Sequence, residues 1–156
     1  MMHDRRIWLL LAAGLFGAWQ WWQGRPVVPP PGVLAAAPPQ QSDPADLADI
    51  AHGEFTLRPR ARYDITARLL LRQRYRLGRE AALAPLDFAL GWHDMSRSEV
   101  LQRLRMRQSN RFYHLSWQDP PLPPEHIMNT SANMHLIPAD AGLGRSLDRM
   151  RPGQVV

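Results

Sequence analysis

An apolar segment at residues 7–18 constrains this chain most, because such a segment near an N-terminus is typical of a secretory signal or a membrane anchor. It follows the basic start Met-Met-His-Asp-Arg-Arg and precedes Trp-Gln-Trp-Trp-Gln-Gly. Residues 7–22 comprise 16 residues, roughly 24 Å of helix at ~1.5 Å per residue, which is short for a hydrocarbon core of ~30 Å. A thin membrane would suit such a helix.

Aromatic residues at both ends of this segment favour an anchor over a cleaved signal. Tryptophan rings settle at the membrane interface, and four tryptophans flank the apolar run: Trp8, Trp19, Trp21 and Trp22. A signal peptide needs small residues at a cleavage site just after its apolar core. The nearest candidate, Ala-Ala-Ala at residues 35–37, lies more than ten residues further on and is followed by Pro38. The sequence therefore predicts an uncleaved anchor over residues 1–24.

The charges around the segment predict its orientation. Arg5 and Arg6 precede it, and Arg25 is the only arginine or lysine between it and Arg58. By the positive-inside rule, the N-terminus is cytoplasmic and the rest of the chain lies on the extracytoplasmic side.

Two missing residue types exclude several chemistries. The chain has no cysteine, so disulfides and thiolate metal sites are excluded. All 19 basic residues are arginine, which excludes Schiff-base lysines and the P-loop lysine. The net charge of +5 does not by itself select a partner.

The remaining chain divides into a proline-rich stalk and linker at residues 25–52 and one domain at residues 53–156. Six prolines in residues 25–41 favour extended polyproline II structure. A short helix is predicted within residues 42–51, with Ser42 or Asp43 as its cap and Pro44 in its first turn.

Hydrophobic periodicity predicts a mixed set of elements in the domain. Strands are predicted at residues 54–58, 63–71, 111–117, 126–129 and 134–137. Three helices are predicted: one at 86–90, one that begins at the capping box 96–99, and one at 141–150 that Asp140 caps. Residues 151–156 resemble a turn that opens into a strand, which predicts a chain truncated before its closing strand. We expect an α+β fold with one small, curved or partly open, barrel-like antiparallel sheet and two or three short helices.

Three stretches resemble a family. They are Ala-Leu-Gly-Trp-His-Asp-Met-Ser at residues 89–96, Gln-Ser-Asn-Arg-Phe-Tyr at 108–113 and Ser-Ala-Asn-Met-His-Leu-Ile-Pro-Ala at 131–139. Together they resemble a group of uncharacterised bacterial proteins with one N-terminal membrane span, in which Leu-Gly-Trp-Gly-Pro-Met-Ser and Asn-Met-His-Leu-Ile-Pro-Ala recur in this order. The resemblance covers residues 63–156 and supplies no activity. It implies a bacterial inner-membrane protein with a periplasmic domain and a further strand beyond Val156.

His135 is the strongest single candidate for a catalytic residue. Asn133 and His135 alternate on one side of a predicted strand, and Asp87 or Asp94 would orient the imidazole as a general base. The competing interpretation is a histidine bonded to backbone in a turn. His93 and Asp94 stand where the family has Gly-Pro, so both are weak candidates.

Metal and cofactor motifs are missing from the sequence. Five residues of ligand type are present, but no histidine pair has the His-x-x-x-His spacing: His93, Asp94, His114, His126 and His135. The sequence also lacks a Gly-x-Ser-x-Gly elbow and a dinucleotide loop. We therefore expect no metal and no cofactor.

Arginines interleaved with aromatic residues indicate a possible binding face. Its main members are Arg68, Arg72, Arg74, Arg111 and Tyr113. Such a face suits single-stranded nucleic acid or another anionic polymer, whereas the alternative is a solvated strand face. Nucleic acid is an unlikely partner for a domain outside the cytoplasm.

The sequence predicts a membrane-tethered, non-enzymatic module with a binding or assembly role at the cell envelope. Its expected partners are membrane lipid, through the N-terminal helix, and an envelope protein or anionic polymer. Two alternatives stay open, a hydrolase that uses His135 with a nearby carboxylate and a single-strand binding protein.

Overall fold

The elements of the protein form a short-stranded α+β architecture. A computed structural model describes residues 2–23, 25–44 and 47–156. The elements in this part of the chain are α1 (Met2–Gln23), β1 (Gln40–Ser42), β2 (Ile50–His52), β3 (Phe55–Leu57), β4 (Arg62–Asp64), β5 (Arg68–Arg74), α2 (Arg79–Leu83), β6 (Leu86–Gly91), the 3-10 helix η1 (His93–Ser96), α3 (Ser98–Leu101), β7 (Arg105–Ser109), β8 (Phe112–Ser116), α4 (Pro124–Asn129), β9 (Ser131–Leu136) and α5 (Ala141–Arg149).

The N-terminal segment is helical, but the structure does not bear out the membrane span that was predicted for it. No helix within the described ranges combines the length and the apolarity that a membrane crossing requires. The uninterrupted apolar run of α1 covers residues 7–18, or 12 residues, which span roughly 18 Å at ~1.5 Å per residue against the ~30 Å required. The predicted transmembrane anchor is therefore wrong, and the inner-membrane location with a periplasmic domain is not supported. The four flanking tryptophans are exposed on α1: Trp8, Trp19, Trp21 and Trp22.

The proline-rich segment contacts the domain at several places, which include the pairing of β1 with β4. The Val27 amide donates to the Pro152 carbonyl at 2.7 Å. Further along, the Ser96 hydroxyl accepts from the amides of Leu34 and Ala35, and Ala35 is buried. This segment therefore lies along the domain.

Within the described residues, the strands form four separate sheets. β5, β6 and β9 make an antiparallel sheet with β6 in the centre, while β1 pairs with β4, β2 with β3, and β7 with β8. The prediction of one curved, barrel-like sheet is therefore wrong. The backbone of residues 67–69 instead bonds to the C-terminal residues 153–156, which add an isolated bridge at the free edge of β5.

The central strand β6 occupies a segment that was predicted to be a helix. All six of its residues are buried, because the three-stranded sheet is covered on both faces. Phe88 and Leu90 pack with Leu69 on one face, and Ala89 packs with Met95 on the other. A strand that is buried on both faces has a continuous apolar sequence and no alternation. Hydrophobic periodicity therefore could not distinguish this strand from a buried helix.

A bulge in β5 explains an irregularity in the sequence pattern. Leu70 interrupts the alternation of residues 63–71, and the pairing register with β6 shifts between Leu69 and Leu71. Leu70 and Leu71 both pack against one core cluster, whereas Leu69 packs in the other. An extra residue in one strand of a pair produces such a change of side. The predicted strand 63–71 is divided between β4 and β5.

Other predicted elements have mixed outcomes. The strands at 54–58, 111–117 and 134–137 correspond to β3, β8 and β9, and the last helix corresponds to α5, capped by the Asp140 side chain at 2.8 Å from the Leu143 amide. Residues 126–129 are helical in α4 because Pro124 suits a first helical turn. The predicted helix at 42–51 overlaps β1 and β2 instead, and its residues 45–46 lie outside the described ranges. Ser96 lies in η1, not in a capping box.

Candidate functional site

The sheet register brings His135 next to Asp87. β6 and β9 are antiparallel, and His135 lies directly opposite Asp87 while Asn133 lies opposite Ala89. Because side chains alternate along a strand, Asn133 and His135 share a face of β9. The Nδ1 atom of His135 lies 2.8 Å from Oδ1 of Asp87.

Asp87 is a fully buried carboxylate between two basic side chains. Its exposed fraction is 0 %, whereas the His135 side chain is 50 % exposed. The same Oδ1 accepts a hydrogen bond from Nη1 of Arg111 at 3.0 Å. Because a carboxylate only accepts hydrogen bonds, Nδ1 of His135 is the donor, and Nε2 is the ring nitrogen that Asp87 does not engage. Asp87 thus fixes the orientation of the imidazole.

Arg111 reaches Asp87 from the turn between β7 and β8. Ser109 pairs with Phe112, so Asn110 and Arg111 form a two-residue loop, with φ values of 51° and 67°. These are the left-handed values that a type I′ hairpin turn needs, and asparagine adopts them more readily than arginine. The left-handed region costs about 1–2 kcal/mol for an ordinary residue.

Several contacts of Arg111 offset this backbone cost. Its amide donates to the Tyr75 hydroxyl at 3.1 Å, and its guanidinium lies 3.8 Å from the centre of the Tyr75 ring. Nη1 also donates to the Ala84 carbonyl at 2.7 Å. The side chain is only 17 % exposed. The Arg111 side chain therefore helps to hold the hairpin turn against the three-stranded sheet.

Asn133 joins the same hairpin to β9. Its Oδ1 accepts from Nε2 of Gln108 at 2.6 Å, and its Nδ2 donates to the Arg111 carbonyl at 3.0 Å. Asn133 therefore fixes the spacing between β9 and the turn that carries Arg111.

A cleft lies beside His135, between β8 and β9. Its volume is about 620 Å³. Its apolar and aromatic lining includes Tyr113, Leu115, Trp117 and Met128. Burial raises the pKa of Tyr113 well above its ordinary value, and the nearby Ser131 hydroxyl offsets only part of this effect. Tyr113 is therefore a neutral phenol at physiological pH.

Asp94, the other candidate carboxylate, belongs to a different group of residues. Its Oδ2 lies 3.0 Å from Nδ1 of His93 and 3.0 Å from Nε2 of His126. Burial raises the pKa of Asp94, but the hydrogen bonds from His126 and His93 outweigh it, so the pKa lies below its ordinary value. The sequence left Asp87 and Asp94 open as partners of His135, and Asp87 is the one in contact with it.

The residues of the predicted arginine face do not form one surface. Arg68 is buried and donates to the Ser96 carbonyl at 2.9 Å. Arg72 donates to the backbone of α5 and of the residue that follows it, and Arg74 pairs with Asp148. Arg111 and Tyr113 instead line the cleft.

Sequence reasoning missed the roles of Gln108, Tyr75 and Trp117. The signal that was available for the site was Asp87, a lone carboxylate within the apolar run of residues 86–91. A charged residue in such a run is rarely buried without a partner. The helix assigned to that run concealed the pairing with β9.

Comparisons with family models, curated proteins and solved structures give no match to this chain.

Proposed function

We propose that the domain binds a ligand with an apolar body and an acidic group, in the cleft between β8 and β9. The observation that carries this proposal is the contact of buried Asp87 with Nδ1 of His135, at the wall of the cleft. With Nδ1 bonded to Asp87, the protonated ring donates its Nε2–H to the anionic group of a ligand and loses little rotational freedom on binding.

The charge of the lining favours an acidic ligand. The basic side chains that line the cleft are Arg111, His114 and His135, and none of its described lining residues is an aspartate or a glutamate. Asp87 lies behind His135 and is already engaged by Arg111. A carboxylate, sulfonate or phosphate on the ligand would therefore meet a surface of complementary sign.

The shape and polarity of the lining favour an apolar ligand body. Ligand pockets commonly have volumes of about 300–1,000 Å³ and mostly apolar walls with a few polar groups. The cleft volume of about 620 Å³ lies in this range. Trp117, Met128 and Leu115 supply the apolar wall, while His135 and Asn133 supply the polar groups.

We expect 2-naphthalenesulfonate to bind this cleft with a dissociation constant of about 1 mM, the affinity typical of a small ligand at ~0.3 kcal/mol per atom. NMR titration of the full chain should shift the resonances of His135 and the indole of Trp117. His135→Gln should weaken binding about tenfold, because the positioned imidazole is lost.

Two controls sharpen this experiment. His52→Gln changes a histidine in β2 that does not line the cleft, so it should leave the affinity unchanged. 2-Naphthalenemethanol keeps the ring but lacks the charge, and should bind several-fold more weakly. Equal binding by the wild type and His135→Gln, or shifts confined to α1, would refute the proposal.

A second candidate function is ester hydrolysis, and the Asp87–His135 contact specifically favours it. An aspartate on Nδ1 orients an imidazole so that Nε2 can remove a proton from water. The water oxygen would attack the ester carbonyl, and the proton would then pass from Nε2 to the departing alkoxide. Asp87 would stabilise the imidazolium formed between these steps.

For the hydrolytic alternative, we expect the wild type to cleave 2-naphthyl acetate at least ~100-fold faster than His135→Gln, the usual contribution of a general base. Fluorescence of the released naphthol measures the rate. The variant His52→Gln removes a histidine outside the cleft, and its rate shows how much cleavage comes from histidines other than His135. A wild-type rate equal to that of His135→Gln would exclude hydrolysis and leave the binding proposal intact.

A further inference from the structure

Three side chains of metal-ligand type lie together on the side of the domain formed by η1 and α4. One ligand atom from each of His93, Asp94 and His126 lies within 4.8 Å of the others. The two imidazole nitrogens are each 3.0 Å from the same carboxylate oxygen, Oδ2 of Asp94. In a tetrahedral site with bonds of ~2.0–2.1 Å, ligand atoms lie about 3.4 Å apart. The two nitrogen–oxygen distances of 3.0 Å are close to this ligand spacing.

The backbone fixes the two elements that carry these side chains. The Trp92 amide, just before η1, donates to the carbonyl of Thr130, just after α4, at 2.9 Å. The Thr130 hydroxyl donates to the His126 carbonyl at 2.7 Å. His93 is fixed in turn by its own amide, which donates to the Ala35 carbonyl at 2.6 Å. These hydrogen bonds hold the backbone of His93 and His126 in place, and they do not involve the ligand atoms of the cluster.

His93 has an unusual backbone conformation. Its φ is 49°, in the left-handed region, although it is not a glycine. Its ring meets the ring of His126 edge to face, with 5.5 Å between the ring centres. Strained backbone of this kind clusters at ligand and switch sites. Here it accompanies an imidazole that is directed at the carboxylate of the next residue.

We infer that His93, Asp94 and His126 bind a divalent transition metal ion, and that Zn²⁺ fits them best. Two imidazoles with one carboxylate are typical of zinc, whereas Mg²⁺ and Ca²⁺ prefer sites made of oxygen atoms. Three protein ligands leave a fourth position for water or a further ligand. The nitrogens that donate to Asp94 in the metal-free protein lose those protons and bind the ion, and each neutral ring then carries its proton on the other nitrogen.

A neighbouring arginine orients the carboxylate. Nη1 of Arg97 lies 3.6 Å from Oδ1 of Asp94, so it engages the oxygen that the histidines do not contact. Partners outside the ligand set commonly orient metal-binding carboxylates in this way. Since His93 and His126 are 33 positions apart in the sequence, no local spacing motif could have indicated this site.

Isothermal titration of the full chain with ZnCl₂ tests the inference. A His3→Ala background removes a histidine close to the N-terminal amine. We expect one equivalent of Zn²⁺ to bind with a dissociation constant of about 1–10 µM. His126→Ala and Asp94→Asn should each weaken binding at least ~30-fold. Co²⁺ in place of Zn²⁺ should give the visible absorption of a low-symmetry site, which both variants lose.

The matched control is His52→Ala, a histidine in β2 that lies outside both the cluster and the cleft. It should retain the parent affinity. Near-UV circular dichroism without metal checks that each variant is folded. If His126→Ala does not fold, the zinc affinity of Asp94→Asn alone tests the inference. Equal Zn²⁺ affinity in the parent and the folded cluster variants, or no binding by the parent, would overturn the inference. The cleft experiment does not depend on this outcome.

Discussion

Replacing Asp87 with alanine is expected to destabilise the protein by about 3–5 kcal/mol, the usual cost of removing one partner from a buried ion pair. Asp87 is fully buried, and its loss leaves the guanidinium of Arg111 with its remaining bond to Ala84 and a longer contact to exposed Glu80. Urea unfolding at equilibrium measures the change. His135 should also lose its fixed orientation, which its NMR line shape would reveal.

Two further variants separate ion pairing from other effects of this substitution. Asp119→Ala removes the partner of Arg103 in a pair with a similar 2.8 Å contact, but with side chains 51 % and 87 % exposed. It should cost less than about 1 kcal/mol, because exposed pairs contribute little. Arg111→Met on top of Asp87→Ala should cost less than the sum of the two single changes. An Asp87→Ala effect no larger than that of Asp119→Ala would contradict the role assigned to this pair.

Replacing Gly91 with alanine is expected to destabilise the protein by about 3 kcal/mol, the upper part of the range for overpacking a core. A Cβ at this position would clash with the Met95 carbonyl oxygen and would lie 3.0 Å from Cδ1 of Leu70. The oxygen belongs to the backbone of η1, which cannot rotate away as a flexible side chain would. Thermal or urea unfolding should detect the loss.

Gly144→Ala is the matched control, and the opposite sign is expected. Gly144 lies inside α5, where a Cβ would make ordinary contacts of 3.6 Å and 3.7 Å with Pro138. Alanine should therefore stabilise the protein by about 0.5–1 kcal/mol through its higher helix propensity. If Gly91→Ala were as well tolerated as Gly144→Ala, the close packing of β6 on η1 would be refuted.

The candidate site was partly visible in the sequence. Alternation predicted that Asn133 and His135 share a face, and they do so in β9. The choice between Asp87 and Asp94 could not be made, because it depends on strand register. Register is set by the packing of whole strands and by the turns that join them. Because residues 86–90 were predicted to be helical, the strand pairing that places Asp87 opposite His135 could not be predicted.

Some helices and strands could likewise be predicted from the sequence, and others could not. Residues 141–149 carry their own helix signals, the Asp140 cap and a one-sided apolar pattern, and α5 forms there. Residues 126–129 carry no local signal strong enough to exclude a strand, and α4 buries Ile127 in the core instead. Short apolar segments are ambiguous because both helix and strand can bury them.

The sequence by itself determined the α+β character, the helical N-terminal segment, the β8 alternation and the exclusion of cysteine and lysine chemistry. These features depend on local period, capping and composition, which neighbouring residues in the chain already contain. Only the tertiary structure decided that Asp87 meets His135 and that His93 and Asp94 meet His126. Such contacts join residues dozens of positions apart, and they exist because burying β6 and α4 in one core brings those segments together.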